Sequence, residues 1–487
     1  MSRKQTNKYF RERRAGVLLH PTSLPSTDTD GALGDSASLF MNFLTDAGFS
    51  IWQMLPVNAP DEYGSPYKSP SVYAGDPQLI SLQRLFACHW MQGARPEQHE
   101  DPFAYAHKCF KQYATDAEQS DYQSFKREHA YWLDDYVLYC TIKQLYDDKS
   151  WWDWPESLRH RDTTTLDSFR KNNSATLDYY FFEQYIFFSQ WHALRKQAHD
   201  KGILLLGDMP LFAAHDSVAV WAHPDFFQLD HNSQPTFVAG VPPDYFSATG
   251  QRWGNPVYNW HNLAKDGFTW WIERLRTQLE LFDMVRIDHF RGLVAHWQIP
   301  ADCPTAENGE WINVPGRELC QAFKDEFGEL PLIAEDLGSI TPEVLALRDD
   351  FCLPGMKVLQ FAFDSDTNNP YLPHNHDLYS VVYTGTHDNN TILGWFYNLD
   401  DVQQQRVYDA LRNPDDAMPW PLIHTALESI CPIAILPMQD VLGLDGSHRM
   451  NTPGTVEGNW RWKFEWEGVS PDLVTKFRHL NGLYGRC

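Results

Sequence analysis

Residues 284–292 read MVRIDHFRG, an apolar run that leads into a carboxylate flanked by cationic and polar side chains. If this run is a strand, the alternation of side chains puts Arg286 and Asp288 on the same face. The guanidinium would then hold Asp288 ionised through its charge and its hydrogen bonds, as a nucleophilic carboxylate requires. One such pair could equally be a structural ion pair at the end of a strand.

The same pattern recurs along the chain, which favours the functional interpretation. Glu335 follows the apolar residues LIA, and Asp388 follows TGTH. Short apolar runs of this kind occur eight times, and stretches with helical spacing separate most of them. The predicted strands are residues 15–20, 49–57, 203–211, 283–289, 332–337, 357–363, 381–388 and 433–440.

Eight strands that alternate with helices predict an α/β fold, specifically a (β/α)8 TIM barrel. In such a barrel the carboxyl ends of the strands form the catalytic face. We expect Asp288, Glu335 and Asp388 to converge there on one pocket. Acidic residues lie at this end of five predicted strands, namely Asp208, Asp288, Glu335, Asp388 and Asp440.

We expect residues 1–487 to form a single catalytic barrel with insertions at its carboxyl face. Residues 78–200 lose the strand rhythm and predict a helical insertion between the second and third strands. Residues 212–270 predict a loop-rich insertion after the third strand, and their exposed aromatic rings are typical of a lid or binding loop. Residues 293–325 predict a small insertion between the fourth and fifth strands.

The composition argues against several classes of binding partner and site. The 64 acidic and 40 basic residues give a net charge of −24, which argues against nucleic acid or an anionic membrane as a partner. No apolar run is long enough to span a membrane, and no apolar signal region follows the N-terminal MSRKQTNKYFRERR. The eight cysteines show no CxxC spacing, so we expect neither a zinc site nor a disulfide framework, and a cytoplasmic location.

Aromatic residues make up 14% of the chain, and many stand among Gly, Pro, Asn and Asp. Flat rings in polar loops suit a ligand with apolar faces and hydroxyl edges, such as a sugar. The alternative is that these rings are buried in a large core.

Other chemistries lack support in the sequence. GxGxxG, GxxxxGK[ST] and HExxH motifs are absent, so we expect no cofactor and no catalytic metal. Residues 364–368 (DSDTN) resemble the start of a calcium loop, but Asn369 replaces the required Gly and Asn375 the bidentate Glu. His374 and His376 could bind a metal, or they could be ordinary histidines of a polar loop.

Three converging carboxylates in an acidic protein with aromatic loops are typical of glycosidic chemistry. One carboxylate attacks the anomeric carbon, and a second gives its proton to the leaving oxygen. Asp288, beside Arg286, suits the nucleophile. Glu335 suits the acid and base, because its apolar neighbours should raise its pKa. Asp388 could bind sugar hydroxyls and favour the distorted ring of the transition state.

With these residues in view, the sequence resembles the amylomaltases, which are 4-α-glucanotransferases of the α-amylase superfamily. The resemblance covers about residues 14–463. It rests on HPTSLPS, SPYKSPSVYAGDP, GDMPLF, PPDYFSATGQRWGNPVYNW, VRIDHFRG, IAEDLG, TGTHDNNT and RMNTPGTVEGNWRW, in that order. It implies the same roles for the three carboxylates, and sugar-binding roles for Tyr67, Asp208, Tyr245, Phe246, Gln251, Trp253, Arg286, His387 and Asn451.

Two features separate this resemblance from a starch-hydrolysing amylase. Asp208 is followed by Met-Pro-Leu-Phe, whereas amylases usually carry Asn-His a few residues later. Too few residues follow Asp440 for the C-terminal β-sandwich domain that amylases usually add. Lys68 and Asp76 depart from the residues common in amylomaltases, which places the donor-side sugar contacts in question.

The resemblance implies transfer of α-1,4-glucan segments between maltooligosaccharides or starch chains, through a covalent glycosyl-enzyme. It also implies α-1,4-glucans and maltooligosaccharides as partners, and we expect a monomer or weak homo-oligomer. A transferase must disfavour water at that intermediate, and the loop around Tyr245 and Phe246 could cover it. The alternatives are a retaining α-glucan hydrolase and a non-catalytic glucan-binding barrel.

Overall fold

A computed structural model describes residues 7–25, 31–92, 101–243, 247–364, 366–411 and 415–487. Its strands belong to two sheets, one of eight strands and one of four. In chain order they are β1 (Arg14–Leu18), β2 (Ile51–Gln53), β3 (Leu204–Met209), β4 (Phe237–Val241), β5 (Gln251–Pro256), β6 (Met284–Ile287), β7 (Ala295–Pro300), β8 (Glu310–Asn313), β9 (Leu332–Ala334), β10 (Gly355–Val358), β11 (Ser380–Tyr383) and β12 (Ile433–Pro437).

The eight-stranded sheet has the order β10-β11-β12-β1-β2-β3-β6-β9, with every pair parallel. The two ends of this order approach each other where the Ala334 amide donates to the Pro354 carbonyl at 2.9 Å. Each strand overlaps one of the eight predicted runs. The predicted (β/α)8 barrel is therefore confirmed.

Helices alternate with these strands around the barrel. The α-helices are α1 (Asp35–Ala47), α2 (Leu82–Phe86), α3 (Pro102–Tyr113), α4 (Asp116–Glu128), α5 (Ala130–Leu145), α6 (Glu156–Arg159), α7 (Thr163–Asn172), α8 (Ser174–Asp200), α9 (Val218–Ala222), α10 (Trp260–Lys265), α11 (Thr269–Leu281), α12 (Gly316–Phe327), α13 (Pro342–Asp350), α14 (Ile392–Tyr397), α15 (Asp401–Ala410), α16 (Trp420–Glu428), α17 (Met438–Val441) and α18 (Pro471–Leu483). Within the described ranges, none of these helices has the length and apolar character that a membrane span requires.

The segments between the barrel strands carry the additional structure. Helices α2 to α8 lie between β2 and β3, in the region where we predict a helical insertion. Strands β4 and β5 follow β3, and they pair with β7 and β8, which follow β6, in an antiparallel sheet of order β5-β4-β7-β8. This second sheet joins the segment before β6 to the segment after it, beside the end of β6 that carries Asp288.

Alternation along β6 decides which side chains enter the barrel. Met284 belongs to an apolar cluster with Leu206 and Ile333 from the neighbouring strands. Val285 and Ile287 pack instead in the larger cluster formed with the surrounding helices. Arg286 therefore lies on the same side as Met284, inside the barrel, as strand geometry requires.

Candidate active site

Arg286 lies buried at the carboxyl end of the barrel between two carboxylates. The register of β3 and β6 pairs Asp208 with Arg286. The guanidinium donates through Nη1 to Asp208 Oδ2 at 2.6 Å and through Nη2 to Asp288 Oδ1 at 2.9 Å. The side chain of Asp288 is 30% exposed, whereas that of Asp208 is 1% exposed. Of the two carboxylates, only Asp288 is thus accessible to a ligand.

A series of close polar contacts leads from Asp208 to the third predicted carboxylate. The Tyr67 hydroxyl donates to Asp208 Oδ2 at 2.7 Å, and it lies 2.9 Å from His387 Nε2. The same His387 nitrogen lies 3.3 Å from Asp388 Oδ1, to which the Asn451 amide donates at 2.6 Å. Asp388 follows the end of β11 in a loop, and its side chain is 45% exposed. The network thus links three elements far apart in sequence.

Glu335 is placed at the same site by the backbone around Asp288. It follows β9, whose register with β6 pairs Ile287 with Ala334. The amide of His289 donates to Glu335 Oε2 at 2.7 Å, and the amide of Leu337 donates to Oε1 at 3.2 Å. Both bonds fix the carboxyl group directly beside the nucleophile candidate.

The surroundings of Asp288 and Glu335 separate their proton affinities. Burial raises the pKa of both carboxyl groups above the ordinary range. The positive charge of Arg286 opposes this rise at both, and Asp288 alone has a direct hydrogen bond from the guanidinium. When the pair holds one proton, that proton therefore resides on Glu335. Glu335 is then a neutral acid next to an ionised Asp288.

The other predicted sugar-binding residues belong to β5 or to the segment that leads into it. Trp253 packs edge-on against the His289 ring with centroids 4.8 Å apart, and its Nε1 donates to Gln251 Oε1 at 3.2 Å. These two residues begin β5 and reach the site through His289. The predicted lid residues Tyr245 and Phe246 lie outside the described residues.

Asp440 has a structural position, although it follows a strand as the others do. It lies in α17 and is 2% exposed. Its carboxylate accepts from the Thr384 hydroxyl at 2.7 Å and from the Ile392 amide at 2.7 Å. Position at a strand end therefore does not by itself bring a carboxylate into the pocket.

The sequence analysis did not identify two side chains that lie at the site. Trp460 has a left-handed backbone with φ of 65°, and its ring lies 5.7 Å from that of Tyr67 and 5.9 Å from that of His387. Arg449 donates to the backbone carbonyl of Asp388 at 2.8 Å. Both belong to the quoted motif RMNTPGTVEGNWRW, which was the available signal.

A cavity of about 580 Å³ opens beside this network. His20, which is 8% exposed, lines it, and burial followed by the charge of His387 lowers the pKa of that imidazole to about 3. Trp460 contributes an aromatic wall to the same cavity. Its volume suits a ligand of several sugar rings.

Of the two histidines considered as metal ligands, His376 has other partners. His376 is 6% exposed, and its two ring nitrogens lie 2.8 Å from the Ser429 hydroxyl and 2.9 Å from the Tyr371 carbonyl. Asn375 donates to the carbonyls of Thr367 and Asn369. Across the ranges that the structure describes, His, Cys, Asp and Glu form no group of three or more that could hold a metal ion.

Comparison with known proteins identifies the family. The family model described as 4-alpha-glucanotransferase matches residues 19–469. The chain belongs to the 4-alpha-glucanotransferase family. It is 45% identical to the 4-alpha-glucanotransferase of Thermus thermophilus over 490 residues, which cover 96% of this chain and 98% of the relative. The Synechocystis enzyme of the same name is 42% identical, with 98% of each chain covered.

Solved structures agree with this membership. The amylomaltase from Streptococcus agalactiae, solved in complex with acarbose, is 34% identical, with a TM-score of 0.92 and coverage of 98% of this chain and 100% of that one. Amylomaltase from Corynebacterium glutamicum, at 18% identity and a TM-score of 0.75, supports the fold alone; 98% of this chain and 75% of that chain are covered. The predicted family, fold class and 4-α-glucanotransferase activity are confirmed.

Proposed function

We propose that this 4-α-glucanotransferase works by a retaining double displacement in which Asp288 is the nucleophile and Glu335 the acid and base. The observation that carries the proposal is the arrangement around Arg286. Its guanidinium holds Asp208 and Asp288 at 2.6 Å and 2.9 Å, so that Asp288 is ionised while the neighbouring Glu335 keeps a proton.

In the first step, Asp288 attacks the anomeric carbon of the donor glucan. Arg286 occupies Oδ1, which leaves Oδ2 to form the new bond to carbon. The bond from that carbon to the glycosidic oxygen breaks, and the proton of Glu335 goes to this oxygen. The departing chain leaves with a free 4-hydroxyl, and Glu335 is now ionised.

In the second step, the 4-hydroxyl of an acceptor glucan gives its proton to Glu335. Its oxygen attacks the anomeric carbon and the ester bond to Asp288 breaks. Two inversions restore the α configuration. The enzyme returns to its initial protonation state, with the glucan segment joined to a new chain.

Asp388, His387, Tyr67 and Asn451 support this chemistry by holding the sugar at the cleavage point. Asn451 occupies Oδ1 of Asp388, so the other oxygen of this half-exposed carboxylate can accept bonds from sugar hydroxyls. Burial lowers the pKa of His387, which keeps it neutral at working pH. The cavity lined by His20 and Trp460 would take further rings of an α-1,4-glucan.

Transfer rather than hydrolysis requires that water be excluded from the glycosyl-enzyme. The segment between β4 and β5 carries Tyr245 and Phe246, and it leads directly into Gln251 and Trp253. Since Trp253 packs on His289, the strand into which this segment leads starts close to the nucleophile. We infer that it covers the intermediate and contacts the acceptor, and that Gln251 and Trp253 take part in this.

The decisive test is incubation of the purified protein with maltotriose alone. We expect a ladder of longer and shorter maltooligosaccharides with a constant number of reducing ends. Rising reducing ends without longer products would identify a retaining α-glucan hydrolase. Binding of maltotriose without any product would identify a non-catalytic glucan-binding barrel.

We also infer the setting in which the enzyme works. Its thiols include the buried Cys320 and Cys431, whose pKa values burial raises to about 12 and 11. All eight cysteines are free thiols, and chains with free thiols and no disulfide are typical of a reducing compartment, which supports the cytoplasm. A monomer or weak homo-oligomer that acts on glucans, without nucleic acid or membrane partners, remains our proposal.

A further inference from the structure

His289, the residue after the proposed nucleophile, has an unusual backbone. Its φ of 51° and ψ of 49° lie in the left-handed region. Residues with a side chain adopt this region uncommonly, and such strain persists only where the surroundings enforce it. His289 immediately precedes the short helical turn Phe290–Leu293 and follows the end of β6. The chain therefore reverses direction sharply at this residue.

The amides around His289 show what the reversal achieves. The amide of Asp288 donates to the Met209 carbonyl at 3.0 Å, on the side of β3. The next amide, that of His289, points to the side of β9 and meets the Glu335 carboxylate at 2.7 Å. Alternation along the strand accounts for these two directions and would turn the amide of Phe290 back towards β3. The left-handed backbone of His289 directs it instead to the backbone carbonyl of Glu335, at 3.1 Å. Two consecutive amides thus donate to one residue, the proposed acid and base: one to its side chain and one to its backbone.

The imidazole of His289 is packed and uncharged. Burial, followed by the charges of Arg291 and His296, lowers its pKa to about 3. Its ring stands edge-on to Trp253 and lies 6.4 Å from the ring of Phe212. Its Nε2 has no hydrogen-bond partner among the described residues. The ring thus anchors the turn, and it is not placed to carry protons.

We propose that His289 is a positioning residue: its amide binds Glu335 Oε2 while its left-handed backbone turns the next amide onto the Glu335 carbonyl, and the two bonds together select the oxygen that carries the catalytic proton. Oε2 accepts the short bond of 2.7 Å, whereas Oε1 accepts a longer bond of 3.2 Å from Leu337. A neutral carboxyl group accepts best through its carbonyl oxygen. The proton therefore lies on Oε1, from which it goes to the leaving oxygen. The inference rests on the proposed role of Glu335.

The bond from His289 also has a predictable effect on acidity. An amide that donates to a carboxylate stabilises its ionised form, so loss of this bond raises the pKa of Glu335. Besides this amide, the charged or titratable groups that act on or face Glu335 are Arg286, Asp288, Asp336 and Tyr371. None of them is altered by a substitution at His289.

The test compares two variants that remove the same imidazole. Asn tolerates the left-handed region, whereas the β-branched Val does not. We expect His289→Val to lower kcat on maltotriose by ~10- to 100-fold, with little change in KM. The alkaline limb of its kcat/KM profile should move to higher pH. His289→Asn should lose several-fold less activity and keep the wild-type limb.

Equal losses in the two variants, or an unmoved alkaline limb in His289→Val, would overturn the proposal, because the ring or general packing would then be the cause. If His289→Val does not fold, His289→Ala replaces it in the comparison with Asn. Melting temperatures establish that the compared variants are folded.

A glycosyl donor whose leaving group needs no proton from Glu335 allows this inference and the proposed function to be tested separately. Fluoride leaves α-maltosyl fluoride without protonation, so the His289→Val loss in fluoride release should be smaller than its loss on maltotriose. Glu335→Gln should show the same dependence on donor more strongly. If Glu335→Gln is active on maltotriose, the proposed function fails. If Glu335→Gln behaves as expected but the His289 variants show no dependence on donor, only the positioning role fails.

Discussion

Two buried arginines lie at opposite ends of the barrel, and they differ in their hydrogen-bond acceptors: carboxylates for one and backbone carbonyls for the other. At the carboxyl end, Arg286 lies between Asp208 and Asp288; burial would lower its pKa, but these carboxylates raise it well above the usual value. At the amino end, Arg486 donates to backbone carbonyls, and burial lowers its pKa to about 9. Its acceptors are the carbonyl oxygens of Arg14, Ala426, Leu427, Ser429, Cys431 and Pro432.

The two sets of acceptors indicate two different roles. The carbonyls around Arg486 include the last ones of α16, which have no partner within their helix, that of the first residue of β1, and those just before β12. Arg486 therefore fastens elements together. The carboxylates around Arg286 include one that faces the cleft, so the charge of Arg286 acts on a reacting group. Chemistry and stability thus occupy opposite ends of the barrel.

The largest expected effect is at the carboxyl end. Asp288→Asn removes the nucleophile and should lower transfer from maltotriose by at least ~10⁴-fold. The fold should remain, because the amide can still accept a hydrogen bond from Arg286. Product ladders and calorimetric binding of maltotriose measure the two properties separately.

The matched control is Asp167→Asn, which alters a carboxylate whose side chain is 67% exposed on α7. It should transfer glucan at the wild-type rate. If Asp288→Asn retained activity like that of this control, Asp288 would not be the nucleophile.

At the amino end, the change should appear in stability. Arg486→Met removes hydrogen bonds to six backbone carbonyls. Those of Leu427 and Ser429 keep Arg13 as a donor, and that of Pro432 keeps the Arg14 amide. The loss at the others, together with the lost links between elements, should lower the free energy of unfolding by about 2–4 kcal/mol. The kcat of the folded fraction should stay unchanged, since Arg486 lies at the end of the barrel opposite the cleft. Urea unfolding and kcat at low temperature measure the pair of effects. A reduced kcat with normal stability would contradict the division between the two ends.

The two arginines also show how far the sequence predicts this site. Arg286 stands in β6 and Asp288 directly follows that strand, so alternation continued by one residue places them together. Arg486 binds carbonyls that become neighbours only after the barrel has closed, and no local pattern in the sequence signals this. The contact of Tyr67 with Asp208 joins residues distant in sequence, and here the resemblance to a family supplied what periodicity could not.

Backbone conformation was the least predictable feature. His289 and Trp460 both adopt left-handed backbones, although neither is Gly or Asn. Tertiary packing enforces these conformations against local preference. The sequence also placed Asp440 among the strand-end carboxylates without indicating that its bonds are structural.

A third buried ionisable side chain, in the helical region between β2 and β3, sharpens the comparison. Glu183 in α8 is 7% exposed. Burial first, then the charges of Asp101 and Asp76, raise its pKa to about 8. Unlike Arg286, it has no stabilising opposite charge among the groups of the described residues that shift its pKa, and it holds its proton more tightly instead. A raised pKa thus marks Glu335 and Glu183 alike, and only the surroundings distinguish the catalytic group.

Glu183→Gln should have the smallest effect, and one that depends on pH. The folded protein holds the proton of Glu183 more tightly than the unfolded chain, so stability falls as pH rises from about 4.5 towards 8. Gln does not titrate, so the variant should gain about 1–3 kcal/mol over the wild type at pH 8 and little at pH 4.5. Urea unfolding at both values measures this gain. A gain that is equal at both pH values would mean that Glu183 does not change its charge, whereas unchanged transfer activity would place this carboxyl group, despite its pKa, outside the catalytic site.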